Sequence, residues 1–188
     1  AFVAFSRASG AGSDGVLRIW SGDGTSEHLA VGAASYGGAT YYPYRYTNIA
    51  VGDIDLDGEP DIVATLYRSS NSSCYVGAYD RGGSLKWVYT GATVGCRSHA
   101  PALADLEGDG DVEVIFGRMI LNGGTGALIA SGTGGSGYYS TYGNSGYMSF
   151  AVDLDGDGDY RGSARDALRD ILHGRMEDRV SAHLEEME

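Results

Sequence analysis

Short apolar runs, rich in β-branched and aromatic residues, recur along the first 160 residues and predict strands. Such runs occupy residues 2–5, 62–67 and 114–116. Each run is followed by a hairpin and then by a further short strand. The turn of each hairpin is rich in glycine, a residue that tolerates the positive φ of tight turns. The turns lie at 22–24, 81–83 and 123–126, and the closing strands at 49–51, 101–104 and 149–152. The pattern predicts repeated units of about four short antiparallel strands.

The pattern becomes helical after residue 160. Ser163 and Asp166 have the spacing of a capping box. Apolar residues from Ala164 to Met187 then recur at roughly helical spacing on either side of Gly174. Residues 161–188 are thus predicted to form a C-terminal α-helical tail. Three interpretations of this tail remain open: it packs on the last repeat, it mediates oligomerisation, or it is disordered.

Three acidic nonapeptides stand between the predicted strands at almost constant spacing. They read DIDLDGEPD at 53–61, DLEGDGDVE at 105–113 and DLDGDGDYR at 153–161, so their starts lie 52 and 48 residues apart. Carboxylates at positions 1, 3, 5 and 9, with glycine at position 6 for a sharp turn, are the hard oxygen ligands that Ca²⁺ takes from flexible loops. The chain is therefore predicted to consist of structural repeats of about 50 residues, each with a calcium loop.

Charge and composition agree with a metal-binding chain and exclude several other classes. Of the 25 acidic residues, 14 lie in the three nonapeptides, which largely accounts for the formal net charge of −12. Lys86 is the single lysine and the arginines form no basic cluster, so we expect no binding to nucleic acid. No apolar run approaches the roughly 18 residues of a membrane span.

The sequence gives little support to catalysis, and we predict no catalytic residues. It contains neither GxSxG nor HExxH. A GxGxxG match at 132–137 lacks the strand before it and the helix after it that a dinucleotide site needs. Aspartates in the acidic segments have the residue type of a sugar-hydrolysing acid/base pair, but their regular repetition favours a structural metal.

The compartment is predicted from calcium, cysteine and the first residue. Loops of this kind fill at the millimolar calcium found outside cells. Cys74 and Cys96 lie within one repeat, which favours a disulfide, although two separate buried thiols remain the alternative. The chain begins at Ala1 with no signal-type segment, as a processed or excised protein would, and Asn71 begins a glycosylation acceptor sequence. We expect a secreted or cell-surface protein.

The combination of DxDxDGxxD loops, hairpins ending in GGSLKW or GGTGALI, and the segment PALADLEGDG resembles the FG-GAP and VCBS-type repeats, including those of the integrin α-subunit propeller. The resemblance covers residues 1–160. It implies an all-β, calcium-stabilised β-propeller in which each ion is held at a loop joining two strands of a blade. In that family the ligands are side chains at positions 1, 3, 5 and 9 and the backbone carbonyl at position 7.

The resemblance implies two calcium sites and a weaker third one. In the third loop, Arg161 stands at position 9 and cannot ligate, so this loop is expected to be weak, completed by water or another chain, or empty. A degenerate dockerin-like site is the alternative there, since only this loop precedes a predicted helix. Glu107 departs from the usual Asp or Asn. The implied ligands are Asp53, Asp55, Asp57, Asp61 and the Glu59 carbonyl; Asp105, Glu107, Asp109, Glu113 and the Asp111 carbonyl; and Asp153, Asp155, Asp157 and Asp159.

The predicted blades number about three, at 1–52, 53–104 and 105–152, followed by the third calcium loop. Closed propellers typically use four to eight blades, and incomplete ones expose sheet edges that must be covered or paired. The propeller is thus predicted to be either part of a larger one or completed by oligomerisation, as a ring or a filament.

Two Gly/Tyr-rich segments, at 33–47 and 132–147, precede strands that enter calcium loops and provide candidate ligand surfaces. Tyrosine gives large contact area at low entropy cost, so glycans or another protein are the expected ligands. The alternative is that these side chains wedge between blades. The tyrosines are Tyr41, Tyr42, Tyr44, Tyr138, Tyr139 and Tyr142.

The function predicted from these features is that of an extracellular, calcium-stabilised β-propeller repeat protein acting as a binding, adhesion or structural assembly module, not a catalyst. One alternative is a self-assembling subunit of an extracellular fibre or ring. Another is the non-catalytic propeller part of a polysaccharide-acting enzyme. The expected partners are a second copy of the chain, another protein or glycans.

Overall fold

The computed structural model describes residues 2–7, 14–45, 48–96, 99–106, 108–132, 147–148 and 151. Within these ranges the chain forms strands and no helix, and hence no helix that could cross a membrane. The predicted tail at 161–188 lies outside them. The strands are β1 (Phe2–Arg7), β2 (Gly15–Trp20), β3 (Glu27–Val31), β4 (Ala34–Tyr36), β5 (Ala39–Pro43), β6 (Ile49–Gly52), β7 (Asp61–Arg68), β8 (Ser73–Tyr79), β9 (Leu85–Val94), β10 (His99–Ala100), β11 (Ala102–Ala104), β12 (Glu113–Phe116), β13 (Met119–Asn122), β14 (Leu128–Ser131) and β15 (Tyr147–Met148).

Three antiparallel sheets contain most of these strands. The first sheet has the order β1-β2-β3, and the third has the order β11-β12-β13-β14. The second sheet runs β4-β5-β7-β8-β9. β6 pairs with residues 61–64 at the start of β7, on the same side as β5, which pairs with residues 66–67. β10 and β15 form a separate parallel pair. The predicted all-β architecture of antiparallel sheets is therefore confirmed for the described residues.

The sheets are offset by one strand from the repeat units read from the sequence. In the second sheet, Gly52 at the end of β6 pairs with Asp61 at the start of β7. In the third sheet, Ala104 and Glu113 pair in the same way. The strand before each acidic loop thus belongs to the same sheet as the strand after it, and the loop is the connection of an antiparallel pair.

The hairpins β2–β3, β8–β9 and β13–β14 share one design. In each, the residue before the turn donates its N–H to a carbonyl across the turn, as Asp80 does to Ser84 at 2.9 Å and Asn122 to Ala127 at 2.9 Å. The pairing then slips by one residue at a β-bulge, which bends the strand and re-aims a side chain. The residues left without a paired partner are His28, Lys86 and Ile129.

The second sheet is buried on both faces, which explains the continuous apolar run in β7. Ile62 and Leu66 point into a core cluster that also contains Leu17 and Ile19 of the first sheet. Val63, between them, points into a second cluster with residues of the third sheet. Because successive side chains of a strand point to opposite faces, both sets must be apolar when sheets pack on each side.

Glycines at two equivalent hairpin turns allow neighbouring sheets to approach closely. Gly126 has φ +69° and a Cβ built there would lie 2.5 Å from the Trp87 ring of the second sheet. Gly83 has φ +83° and its Cβ would lie 2.3 Å from Val31 of the first sheet. Trp87 also donates its indole N–H to the Gly123 carbonyl at 2.6 Å. The turn of each later sheet therefore rests on a side chain of the sheet before it.

The first Gly/Tyr-rich segment is not a surface loop, and this corrects the predicted ligand surface there. It forms the hairpin β4–β5, whose turn residues Gly37 and Gly38 have φ 54° and 75°. Tyr41 is 2% exposed and Tyr44 is 4% exposed, because β5 pairs with β7 and turns these side chains inward. Tyr42 is half-buried. The wedge interpretation holds for Tyr41, which joins the cluster between the first two sheets; Tyr138, Tyr139 and Tyr142 lie outside the described residues.

The predicted disulfide is confirmed. Cys74 in β8 and Cys96 just after β9 are bonded, with their Cα atoms 5.2 Å apart. The bond ties the far end of the β8–β9 hairpin. No free cysteine remains.

Candidate metal centre

The first acidic loop, at 53–61, is held by hydrogen bonds from its own backbone to its aspartates. The Asp53 carboxylate accepts the N–H groups of Asp57 at 3.0 Å and Gly58 at 2.9 Å. Asp57 accepts the N–H of Glu59 at 2.8 Å. The backbone is left-handed at position 4, where Leu56 has φ 62°, and at position 6, where Gly58 has φ 89°. The chain thereby curls around the carboxylates of positions 1 and 5.

The second acidic loop, at 105–113, repeats this geometry. The Asp105 carboxylate accepts N–H groups of Gly108, Asp109 and Gly110 at 2.7, 3.1 and 2.9 Å. Asp109 accepts the N–H of Asp111 at 3.0 Å. Gly108 and Gly110 have φ 71° and 95° at positions 4 and 6. The two loops thus have the same backbone geometry although their sequences differ. What their sequences share is the acidic positions and the glycine at position 6.

Position 9 is a buried carboxylate in both loops. Asp61 is 1% exposed and Glu113 is 5% exposed. Each accepts the N–H of position 2 in its loop, from Ile54 at 3.3 Å and from Leu106 at 2.8 Å. A buried carboxylate needs a cation or several donors to remain ionised. Position 9 therefore places a buried carboxyl group at the point where each loop enters its sheet.

Three of the predicted ligands converge in the first loop. Asp53, Asp55 and Asp61 each place one carboxylate oxygen so that the three atoms lie within 4.8 Å of one another. This cluster could hold a metal ion. Glu59 instead turns outward and forms an exposed ion pair with Arg81, although its predicted ligand atom is the backbone carbonyl.

Lys86, which the sequence interpretation did not assign to the site, reaches into this cluster from the bulge in β9. Its ammonium donates to both oxygens of Asp61 at 2.9 Å. It also lies 2.5 Å from Asp55 and 3.8 Å from Asp57. The one sequence feature that could have indicated this contact is that the single lysine follows a loop with five acidic residues. The spacing of Lys86 from the loop does not show that its side chain reaches the carboxylates.

Burial and ion pairing oppose each other in this cluster. Burial has the largest effect on the Asp61 carboxyl and raises its pKa overall, although the hydrogen bonds and charge of Lys86 act to lower it. Burial lowers the pKa of Lys86, but the hydrogen bonds that its ammonium donates to Asp55 and Asp61 outweigh this effect, so the pKa of the ammonium is raised. Lys86 is therefore charged at neutral pH. The first loop has the oxygen donors that a hard divalent cation takes, and a cation of the protein itself already lies among them.

A shallow cleft separates the two described loops. It is lined by Asp55 and Leu56 of the first loop, Asp111 of the second loop, and Asn122 and Gly124 of the β13–β14 turn. Ile54 is buried beside it, in the cluster between the second and third sheets. The first loop is thus joined to the core, because its residue Ile54 packs between the second and third sheets.

The remaining predicted sites are placed as follows. Glu107 and the third loop, with Asp153, Asp155, Asp157 and Asp159, lie outside the described residues, so ligation there stays a prediction. Asn71 is exposed in the turn between β7 and β8, and its side-chain amide donates to the Tyr75 hydroxyl at 2.7 Å. Glycosylation at Asn71 stays a prediction.

Comparison with protein families places the loops in a known repeat. Residues 53–116 match the model of the FG-GAP-like repeat. This segment is an FG-GAP-like repeat. It begins at the first acidic loop, includes β7, β8, β9 and the second acidic loop, and ends with β12. The resemblance read from the sequence is thereby confirmed over these residues, and the cluster of Asp53, Asp55 and Asp61 is consistent with the calcium sites of such repeats.

Among solved structures, the chain is similar to the rhamnogalacturonan lyase PL11 of Bacillus licheniformis, with 16% identity and a TM-score of 0.37. The match covers 82% of this chain and 49% of that chain, so this chain spans about half the length of the lyase. At that score the similarity assigns no function to this chain. A comparison with curated proteins finds no match.

Proposed function

We propose that this chain is an extracellular, calcium-stabilised β-propeller-type repeat module that acts by binding or assembly and not as a catalyst. The observation that carries the proposal is the equivalence of the two described acidic loops. Both join antiparallel strands of one sheet, both are left-handed at positions 4 and 6, and both bury a carboxylate at position 9. Face-to-face packing of successive sheets supports a propeller-type arrangement.

Calcium has a structural role in this proposal. Asp53, Asp55 and Asp61 would hold an ion in the first loop. In the second loop, Asp105 and Glu113 stand at the equivalent positions 1 and 9, and Asp109 stands at position 5. When bound, Ca²⁺ supplies positive charge to clustered carboxylates that otherwise repel one another.

The extracellular location rests on two features that depend on the compartment. The Cys74–Cys96 disulfide persists in an oxidising environment. Extracellular calcium modules typically bind with dissociation constants of about 10⁻⁴–10⁻³ M, which suits calcium levels outside cells. An intracellular protein with weak loops of this kind would remain without the ion.

Isothermal titration calorimetry with Ca²⁺ tests this function, and the chain offers a matched pair of variants. Asp109 and Asp23 are both exposed aspartates that accept the N–H two residues further on, at 3.0 Å in each case, but only Asp109 belongs to an acidic loop. We expect calcium uptake by the wild type and by Asp23→Asn, and the loss of one binding event in Asp109→Asn. The absence of any cation uptake by the wild type would refute the proposal.

Self-assembly is a second candidate, favoured by the last strand of the third sheet. β14 pairs with β13 on one side, and all four of its residues are exposed, including Leu128 at 44% and Ile129 at 49%. Apolar residues on a strand at the end of a sheet promote edge-to-edge pairing. Sedimentation velocity in calcium is expected to detect concentration-dependent association, weakened by Leu128→Lys; a monomer at all concentrations would exclude this candidate.

A further inference from the structure

We propose that the Lys86 ammonium is the resident counter-cation of the first acidic loop, and that calcium must displace it to bind there. The inference rests on the proposed binding of calcium by the acidic loops. It goes beyond that proposal, because it makes the two described loops unequal: the first holds an ammonium of the protein itself among its carboxylates, whereas the chain has no second lysine for the other loop.

The contacts of Lys86 are those expected of a bound cation. Its ammonium is 2.9 Å from both oxygens of Asp61 and 2.5 Å from Asp55. These are two of the three carboxylates that converge in the loop. The Lys86 side chain is only 16% exposed and Asp61 is almost fully buried, so water screens this interaction weakly. A divalent ion on the same oxygens and the ammonium cannot occupy the same space, and their like charges repel.

The bulge in β9 explains why Lys86 reaches the loop. Ala78 pairs with Trp87 and Tyr79 pairs with Leu85, so Lys86 is the extra residue between them. Its neighbour Trp87 is fixed between the sheets by the hydrogen bond to Gly123. The lysine is therefore presented by a rigid part of the sheet, and its flexible stem allows the ammonium to leave without moving β9.

The second loop has no equivalent of this lysine. Counted from the turn and from the bulge, the residue equivalent to Lys86 in the third sheet is Ile129, and Lys86 is the single lysine of the chain. Glu113, the counterpart of Asp61, accepts the N–H of Leu106. The first loop thus has a tethered ammonium, whereas the bulge residue at the equivalent position of the third sheet is uncharged.

Amine labelling of the wild-type protein tests displacement directly, because a lysine-directed reagent has one side-chain target. Lys86 is modified with an N-hydroxysuccinimide ester in EDTA and in saturating Ca²⁺, with N-acetyl-lysine present as an internal reference for reagent reactivity. We expect a several-fold faster modification of Lys86, relative to the reference, in calcium. An unchanged or slower rate would overturn the displacement.

Site-resolved NMR titration with Ca²⁺ measures the competition. The Ile54 and Leu106 amides each donate to position 9 of their own loop, so their resonances report the first and second loops separately. In Lys86→Gln we expect the calcium affinity reported by Ile54 to rise by about tenfold or more, which corresponds to about 1.4 kcal/mol, and the affinity reported by Leu106 to stay unchanged.

Arg81→Gln is the control for net charge. Arg81 also contacts the first loop, but through the exposed Glu59 and outside the carboxylate cluster. The Arg81→Gln substitution removes the same charge as Lys86→Gln. Because the Arg81–Glu59 pair is exposed, we expect Arg81→Gln to change the calcium affinity of the first loop by less than about threefold. Equal effects of the two variants would overturn the inference, because the lysine would then act only through general electrostatics.

The outcomes separate this inference from the proposed function. If Leu106 responds to calcium and Ile54 responds in no variant, the displacement is wrong while calcium binding by the second loop stands. If neither amide responds in any variant, the proposed calcium binding itself is wrong. The labelling experiment needs no substitution, so it decides the inference even where Lys86→Gln does not fold.

Discussion

At the scale of single residues, two tyrosines of β8 differ in one hydrogen bond. Tyr79 is fully buried and its hydroxyl has no hydrogen-bond partner among the described residues. Tyr75 is also buried, but its hydroxyl accepts the Asn71 amide at 2.7 Å. A buried polar group without a partner costs about 1–3 kcal/mol. We therefore expect Tyr79→Phe to raise the free energy of unfolding by about 1 kcal/mol, measured by urea denaturation, and Tyr75→Phe to lower it by about 0.5–1 kcal/mol. Destabilisation by both substitutions would contradict the absence of a hydrogen-bond partner for the Tyr79 hydroxyl.

The same hydroxyl gives stability a dependence on alkaline pH. Burial raises the pKa of Tyr79, whereas a tyrosine in the unfolded chain ionises at about pH 10. The stability contributed by this protonated group is complete below pH 10 and is lost as the pH rises towards the folded pKa. We expect the unfolding free energy of Tyr79→Phe to decline less between about pH 9 and 11 than that of the wild type; parallel declines would contradict it.

The chemistry of the site was predictable from residue types only in part. Aspartates at alternating positions and the glycine at position 6 are sufficient to indicate both described loops from the sequence alone. The role of Lys86 was not predictable, because its approach depends on a bulge in a strand 25 residues beyond Asp61 in the sequence. The burial of Tyr41 and Tyr44 was equally hidden, since Gly/Tyr composition is shared by recognition loops and by strands that pack between sheets.

At the scale of elements, the close approach of sheets at the hairpin turns depends on glycine. Gly126 and Gly108 have nearly equal φ, 69° and 71°, but a Cβ at Gly126 would strike Trp87 while one at Gly108 meets nothing within 4 Å. In EDTA, Gly108→Ala is expected to cost about 1–2 kcal/mol of stability from backbone strain alone. Gly126→Ala should cost about 1–3 kcal/mol more through overpacking. Equal losses in chemical denaturation would show that the contact with Trp87 is unimportant.

The disulfide stabilises the β8–β9 hairpin by restricting the unfolded chain. Cys74 and Cys96 are 22 residues apart, a separation for which a cross-link typically contributes about 2–4 kcal/mol. We expect the double variant Cys74→Ser/Cys96→Ser to be less stable by that amount in denaturant, with dithiothreitol lowering the wild type to the same level and leaving the variant unchanged. A wild type insensitive to reduction, despite a broken bond, would contradict this role.

Elements next to the acidic loops were predictable, and those of the first Gly/Tyr-rich segment were not. The runs after the loops, β7 and β12, are apolar and β-branched, so periodicity located them. For the hairpin β4–β5 the sequence contains only the turn signal Gly37-Gly38, because its short strands consist of tyrosines and small residues without a clear alternation. The pairing of β10 with β15 joins residues 48 positions apart, and no local pattern specifies such a contact.

At the scale of the whole molecule, the acidic loops and the packing of sheets form one system. Ile54 follows the first ligand of the first loop and is buried between the second and third sheets. Gly123 of the β13–β14 turn lies against the Ile54 backbone and donates its N–H to the Val112 carbonyl at 2.8 Å. An ion that fixes the loops therefore also fixes the contact between sheets, and calcium should stabilise the fold as a whole rather than one loop.

The most direct test of this account is the melting temperature of the wild-type protein as a function of free calcium. Binding to the folded state alone adds about 2.7 kcal/mol per site at a calcium concentration 100 times the dissociation constant. For a chain of this size, that corresponds to a rise of roughly 5–10 °C per site over the value in EDTA. We expect a melting temperature that rises with the logarithm of calcium concentration. A melting temperature that is the same in EDTA and in calcium would contradict it.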